Sequence, residues 1–326
     1  MKILVPGGAG YIGSHTVKEL IQEGFEVVVF DNFSTGKKEL LVGGELVVGD
    51  LMDKESIKEA LMSKNIEAVL HFASLIQVGE SYKNPQKYYT HNLISSLNLL
   101  DVMLEAKVKN IIFSSSAAVY GVPKQIPIPE SHPLNPFNPY GQTKYFVEKI
   151  FQDYERAYEL KYISLRYFNA AGADPDGRLG ELHDPETHLI PNILFFLLGE
   201  KKDFDLFGTD FPTEDGTAVR DYIHVTDLAK AHVLALKKLL TSSISDFINL
   251  GSNKGYSVLE VIKKTEEITG KKVRYRERPK RKGDVPVLLA SREKAERTLG
   301  WKLHHSNIET IIETAWNWHR KIVKNK

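Results

Sequence analysis

KILVPGGAGYIGSH, residues 2–15, decides how the chain is read. A short apolar run meets glycines spaced three apart, Gly7, Gly10 and Gly13, and an amphipathic pattern follows (Ile12, Val17, Leu20, Ile21) as far as Gly24. An apolar run ended by glycines reads as a buried strand, and a 3.6-residue apolar period stopped by glycine reads as a helix. A helix N-terminus offers free N–H groups and the positive end of a dipole, and glycines let the backbone approach a pyrophosphate. A tight strand–helix turn with no ligand would use the same glycines, so the second strand matters. FEVVVFD, residues 25–31, ends in Asp31, eighteen residues after Gly13. A carboxylate there can accept both hydroxyls of an adenosine ribose and repels a 2′-phosphate, which favours NAD over NADP. A turn or cap before NFSTG is the alternative for Asp31, but loop and carboxylate together point to a dinucleotide. Asp50, in VVGDL, either reaches the adenine or caps the next helix.

Outward from this unit, strands and helices alternate. ELVVGD (45–50), EAVLHFA (67–73), NIIFSSS (110–116) and KYISLRYFN (161–169) are continuously apolar. Helical patterns over Asp53 to Lys64, about Pro85 to Lys107, and from Pro139 onward separate them. Continuous apolar strands joined by helices make a parallel sheet covered on both faces, so the fold class is α/β with a doubly wound sheet. The rhythm breaks near residue 168, then LIPNILFFLLG reads as a helix and AVRDYIHVTDLAKAHVLALKKLL as a strand and helix. A length of 326 residues suggests two domains. The expected division is 1–168 plus about 217–250 for the nucleotide and about 169–216 plus 251–326 for a smaller α/β substrate domain, the two interleaved.

Composition removes other classes. With 43 Lys+Arg against 42 Asp+Glu, no whole-chain field favours nucleic acid or an anionic membrane. There is no cysteine, which excludes disulfides and thiolate catalysis. The 11 histidines form no HxxxH or HExxH pair, and no metal is expected. No apolar run reaches the ~18 residues of a membrane span, and the N-terminus shows no secretory pattern, so a cytoplasmic protein is expected.

Tyr140 and Lys144 stand four apart in NPYGQTKYFVEKI (138–150), so they share a face near a helix start. Alone, that pair is an ordinary aromatic–aliphatic contact. Ser116 changes its meaning, because it ends a strand at the sheet edge where ligands sit. A hydroxyl, a phenol and an ammonium beside a nicotinamide make an acid/base site for alcohol–ketone chemistry. Lowering a phenol from about 10 to about 7 takes roughly 4 kcal/mol. One positive charge ~4 Å away at an effective dielectric of ~20 supplies about that much. Lys144 and an oxidised nicotinamide are two candidate charges.

In combination GGAGYIGSH, DN at 31–32, HFA at 71–73, FSSSAAVYG, PYGQTK, LRYFNAAGA, EDGTAVRDYIHV and NLGSNKGYSV resemble the extended short-chain dehydrogenase/reductase family over nearly the whole chain. The resemblance implies a Rossmann-type nucleotide domain and a second domain for a UDP-sugar. It places Tyr11, Ile12, Asn32, Asp50, Phe72, Ala73, Asn92, Lys144, Tyr167 and Phe168 around NAD, with the glycines and Asp31. It gives Arg220 and Arg281 to the diphosphate and Asn169, Leu189, Phe207, Tyr222, Asp284 and Leu288 to uridine and sugar. Read as single residues, Arg220 could instead pair with Asp221 or Asp215, and Phe207 could be core. Ala117 and Ala118 stand where the family's dehydratases carry an Asp–Glu pair, so the activity implied is C4 epimerisation of UDP-glucose and UDP-galactose. UDP-N-acetylglucosamine, UDP-glucuronate or a UDP-pentose is the alternative substrate. A dinucleotide-sensing protein without catalysis is the non-enzyme alternative, disfavoured because Tyr140 and Lys144 are both present. Departures are Pro6 for a usual Thr, Ile76 for a Lys near the cofactor, and Leu288 at a position of variable size beside the sugar. Leu93, Leu97, Leu100 and Leu104 on the helix from Pro85, and Val147, Phe151, Tyr154 and Tyr158 on the next, give each helix a second apolar face. In the family these helices pair about a two-fold axis, which implies a homodimer.

Overall fold

The computed structural model describes residues 1–281 and 283–324. Its strands are β1 (Lys2–Pro6), β2 (Glu26–Asp31), β3 (Glu45–Val48), β4 (Ala68–His71), β5 (Asn110–Ser114), β6 (Lys161–Tyr167), β7 (Asn169–Ala171), β8 (Asp205–Phe207), β9 (Val219–His224), β10 (Asp246–Leu250), β11 (Gly255–Ser257), β12 (Arg276–Arg278) and β13 (Val287–Leu288). Seven form one parallel sheet in the order β10-β6-β5-β4-β1-β2-β3. Pleating sends alternate residues of β1 to opposite faces. Ile3 and Val5 pack with Val17 and Leu20 of helix Tyr11–Gln22 and Leu228 and Leu236 of helix Val225–Ser242. Leu4 packs with Ile57 and Leu61 of helix Lys54–Met62, Leu99 and Met103 of helix Ser95–Glu105, and Val147 and Phe151 of helix Pro139–Tyr158. Both faces are thus covered, which is why the strands contain so few polar residues. Among the described residues no helix is long and apolar enough to cross a membrane.

Strand order reverses between β1 and β4, and the crevice for a ligand opens at their C-terminal ends. The glycine loop fills one side of it. Gly7 has φ +81°, and a Cβ there would lie 2.5 Å from the Ala73 nitrogen. Pro6 cannot donate to the ladder, but it ends its strand, and its carbonyl accepts the N–H groups of Phe72 (2.9 Å) and Ala73 (3.0 Å).

The domain expectation needs two corrections. β9 does not join the large sheet; it is the middle of a small one, flanked by β11 and β13 and also paired with β7. Only the following helix Val225–Ser242 and β10 return to the nucleotide unit. The segment with Ala295, Leu299 and Trp301 also packs into that core, although it was expected in the substrate unit. Helix Leu189–Leu198, helix Val258–Thr269 and helix Ile308–Lys324 share a separate core through Ile193, Val261 and Ile312.

The helix expected from Pro85 to Lys107 runs as Pro85–Tyr88, a π-helical stretch Tyr89–Ile94, and Ser95–Glu105. Of the residues expected on second apolar faces, Leu100 of this helix and Val147 and Phe151 of helix Pro139–Tyr158 are buried in the chain's own core, and Leu93, Leu97, Leu104 and Tyr154 are half-buried. The apolar residues left on the surface beside these helices are Ile94 (42% exposed), Phe146 (41%) and Tyr158 (49%).

Gly13 closes the turn. A Cβ there would meet the Gly7 carbonyl oxygen at 2.2 Å. Gly13→Ala is therefore expected to lower stability by about 1–3 kcal/mol in urea denaturation, the usual cost of overpacking a rigid site.

Candidate active site

The N-terminus of helix Tyr11–Gln22 has no side-chain cap. The first amide to bond back within the helix is that of Ser14, to the Gly10 carbonyl, which leaves the N–H groups of Tyr11, Ile12 and Gly13 without intrahelical partners. A Cβ on Gly10 would meet only the Gly7 oxygen, at 3.2 Å, so the space over the helix end is open for a bulky anion. Asp31 caps the wall: its Oδ2 accepts the Ala9 N–H and its Oδ1 the Phe33 N–H, both at 2.9 Å. Each oxygen keeps one lone pair for a ribose hydroxyl. Burial raises the Asp31 pKa, and the two backbone hydrogen bonds oppose it. These groups fit the pyrophosphate and ribose of NAD.

The other residues expected around the cofactor divide. Asn32 donates to Asp50 at 2.9 Å, and Asp50 also accepts from the Met52 amide, while Asp53 caps the next helix. The Tyr11 side chain is turned away: its hydroxyl donates to the Gly172 carbonyl (2.6 Å), so its backbone amide alone faces the loop. Asn92, in the π-helical stretch, commits its amide to protein. It accepts from the Leu75 N–H (2.8 Å) and donates to the Leu75 carbonyl and Thr143 hydroxyl (both 3.1 Å). It positions the loop after β4, and its Oδ1 keeps one lone pair. Phe72 and Ala73 end that wall, with Phe72 against His232. Ile76 is 40% exposed on the same loop. Tyr167 is buried with its hydroxyl on Ser114, and Phe168 packs beside Tyr120 and Leu288.

At the end of β5 the pleat separates three serines. Ser114 bonds Tyr167, Ser115 donates to Glu148 (2.6 Å), and Ser116 hydrogen-bonds the Tyr140 phenol. Asn138 caps helix Pro139–Tyr158 by accepting the Gly141 amide at 2.7 Å, which sets the angle of Tyr140. Tyr140 and Lys144 share a face, with the Lys144 Nζ 5.8 Å from the phenol ring centre. The expected tuning of the phenol needs correcting. Burial pushes Tyr140 up, and the Ser116 hydrogen bond only partly offsets it. Lys144 does not pull it down, because burial lowers the ammonium itself to about 7, against a smaller opposing effect of Glu148. Its protons point to the Ser74 hydroxyl and Ser114 carbonyl, both at 2.8 Å.

The sequence did not reveal what holds this group. Arg166 of β6 forks onto Glu148, Nε to Oε1 at 2.9 Å and Nη2 to Oε2 at 2.7 Å. Arg166 also reaches the Tyr120 hydroxyl (3.0 Å), which donates to Asn249 (2.7 Å). Both charged side chains are almost fully buried. A signal existed in the polar residues Glu148 and Arg166 on otherwise apolar faces, but nothing in their spacing paired them.

Ser116 caps a 3-10 turn, Ala117–Val119, so the two positions after it carry only methyl groups. Residues 3–251 match the family described as NAD dependent epimerase/dehydratase. The chain belongs to the NAD dependent epimerase/dehydratase family. Within this family it is similar to the UDP-glucose 4-epimerase of Halalkalibacterium halodurans, 49% identical over 98% of this chain and 96% of that one. The crystal structure of the Brucella ovis UDP-glucose 4-epimerase in complex with NAD superposes with a TM-score of 0.93, at 46% identity and 97% coverage of each chain. That of the Bifidobacterium longum UDP-glucose 4-epimerase in complex with NAD+ and UDP also gives 0.93, at 40% identity and 98% coverage of each.

The small sheet carries several of the other residues expected at a ligand. Arg220 of β9 lies in register with Leu288 of β13, and Asn169 of β7 with Tyr222 of β9. The alternative ion pair of Arg220 with Asp221 or Asp215 is not formed. Its Nη1 donates to the Val219 carbonyl (2.9 Å), and among the described residues it makes no salt bridge. Burial lowers the Arg220 pKa, Arg281 lowers it further, and Asp284 opposes. Two guanidiniums thus share one field with a single opposing carboxylate, whose Oδ2 is 3.1 Å from Arg281 Nε. Asp221 instead accepts Ser252 N–H (2.7 Å) and Oγ–H (2.6 Å) and the Ala290 N–H (3.1 Å), and burial raises it to about 6. Arg281 stacks on Phe207, 5.3 Å from its ring centre, and Phe207 is 38% exposed, so it is no core residue. Asn169 donates to the Asp221 carbonyl at 2.7 Å, and burial pushes Tyr222 up to about 12. Leu189 opens its helix and packs on the small unit's core.

Two measurements follow from this geometry. Arg166→Met leaves Glu148 charged and buried, so stability should fall by about 3–5 kcal/mol in denaturant titration. Lys144 is held below its unfolded pKa, so the unfolded chain binds the extra proton between about pH 7 and about pH 10.5. Stability of protein stripped of nucleotide should rise with pH across that window, and Lys144→Met should flatten the rise.

Proposed function

We propose that the protein interconverts UDP-glucose and UDP-galactose by inverting C4 of the sugar, with NAD regenerated in every turnover. The observation that carries this reading is the meeting of Ser116, Tyr140 and Lys144 at the sheet edge with Ala117 and Ala118 beside them. The proton-moving groups of alcohol–ketone chemistry are present, and the acid and base that eliminate water are missing from the positions where dehydratases hold them.

In this reading Tyr140, as phenolate, accepts the O4 proton, and loss of hydride from C4 leaves a 4-keto sugar. Ser116 hydrogen-bonds O4 and steadies the phenol it already touches. Arg220, without a salt bridge among the described residues, and Arg281, paired on one side with Asp284, hold the diphosphate, for which guanidinium forks are suited. Phe207 offers its face to the uracil. With the UDP end fixed, the keto sugar turns over, and Tyr140 returns its proton to O4 after hydride arrives on the other face. NAD, when bound, would accept and return the C4 hydride, and its oxidised ring would supply the positive charge that Lys144 alone does not give the phenol. Lys144 holds the nicotinamide ribose.

Leu288 borders Arg220 and is half-buried, of intermediate size, so room for an N-acetyl group at C2 is the specific second reading. The nucleotide unit of this reading spans the large sheet and the small sheet holds the UDP-sugar. A second copy of the chain is the partner, on the face around Ile94 and Phe146. Light scattering that showed a stable monomer at micromolar concentration would remove the dimer.

The test is purified protein with UDP-galactose and no added nucleotide, followed by NMR for UDP-glucose. Conversion is expected, and Tyr140→Phe should slow it by about 10²–10⁴-fold. Conversion only after NAD+ is added would keep the chemistry and place weak cofactor retention at Ile76. No conversion with or without NAD+ would overturn the substrate assignment, and UDP-N-acetylglucosamine and UDP-glucuronate would be tried next.

A further inference from the structure

ELHDPETH, residues 181–188, lies between β7 and helix Leu189–Leu198, and the active-site chemistry does not use it. Four of its five titratable side chains, all but Asp184, converge on one point. The Nδ1 of His183 is 2.8 Å from Glu181 Oε1, and the Nδ1 of His188 is 2.6 Å from that same oxygen and 3.1 Å from Glu186 Oε1. One ligand atom from each residue fits within a 4.8 Å group.

Glu186 supplies a second, separate observation. Its side chain is 3% exposed, and its Oε1 already accepts the amides of Thr187 and His188, both at 2.7 Å. Its Oε2 is buried with no hydrogen-bond partner and faces the His183 Nδ1 at 3.9 Å. A buried carboxylate oxygen left without a donor in a polar cluster is costly unless a cation sits against it.

We propose that Glu181, His183, Glu186 and His188 form a divalent-metal site of the zinc class that clips this loop. Two imidazole nitrogens and two carboxylates suit zinc, cobalt or nickel better than magnesium, and two negative ligands balance a dication. Tetrahedral ligand atoms at ~2.0–2.2 Å from zinc lie about 3.4 Å apart, and the four atoms here lie within 4.8 Å of one another, so inward shifts of the side chains complete the sphere. Four protein ligands leave no open position, which assigns the metal a structural role. What it would hold is specific. The Glu181 carbonyl accepts Trp318 Nε1 at 3.1 Å, and the His183 ring meets Tyr11, the first residue of the glycine-loop helix, edge-on at 6.0 Å. The clip would tie the C-terminal helix, the phosphate-binding turn and the start of helix Leu189–Leu198 together.

The test uses the whole chain, dialysed against a chelator and then titrated with Zn2+ or Co2+. One metal per chain by elemental analysis is expected. The Co2+ form should show the intense visible absorption of four-coordinate geometry. Zn2+ at a hundredfold excess over Kd should raise Tm by about 4 °C. His188→Gln and His183→Gln should each weaken binding at least tenfold, and the wild-type chelator comparison decides the matter if either variant fails to fold. No bound metal and no Tm shift would overturn the proposal, as would undiminished binding in both variants. The readout is binding, so it stands or falls apart from any sugar-nucleotide turnover.

Discussion

The fork between Glu148 and Arg166 is the contact on which the catalytic geometry depends. It joins the helix that carries Tyr140 and Lys144 to β6, and through the Ser115 hydroxyl it also grips the end of β5. Such a pair adds little net stability, because two charges must leave water. Its value is geometric. A fork–carboxylate contact has one good alignment, and it fixes the height of the helix relative to the strand edge. Glu148 is one turn beyond Lys144, so setting its height sets that of the lysine and phenol. Apolar packing by Val147 and Phe151 alone would tolerate a slide along the strands.

Burial is the second constraint, and it opposes the chemistry until a charged ligand is added to the balance. The phenol goes up and the ammonium goes down for the same reason: each disfavours its charged form away from water. The small unit shows the same logic at Arg220, whose guanidinium makes no salt bridge among the described residues and shares the field of Arg281. In the proposed function a charged ligand would redress the balance on each side.

Much of this was legible in the sequence, and the reasons differ by residue. The large sheet was readable because its strands are covered on both faces and carry long apolar runs. Tyr140 and Lys144 were readable because helical spacing is a local property. Ser116 was singled out from the three serines, and the pleat at the end of β5 is what turns it, and not Ser114 or Ser115, to the phenol. The direction of the Tyr140 shift was misjudged because burial depth comes from tertiary packing, and a charge count cannot supply it. β9 was misassigned because VRDYIH looks like any buried strand, and only β7, β11 and β13 show which sheet it enters. Glu148 and Arg166, eighteen residues apart on different elements, gave no pattern at all. The 181–188 cluster escaped because its histidines are five apart in a loop, outside the spacings that helices impose.

Interleaving of the two units has a mechanical consequence. Among the described residues the chain passes between them five times: after β6, after β9, between β10 and β11, after β13, and before helix Ile308–Lys324. A hinge swings on one or two connecting strands that absorb the rotation. Five tethers entering at different points leave no common axis, and Asp227 adds a lock by accepting the amides of His304 (3.1 Å) and His305 (2.8 Å). The chain path therefore ties the two units into one frame instead of a pair of hinged jaws. In the proposed reaction such a frame would keep the diphosphate fixed relative to Tyr140 while the sugar ring turns over.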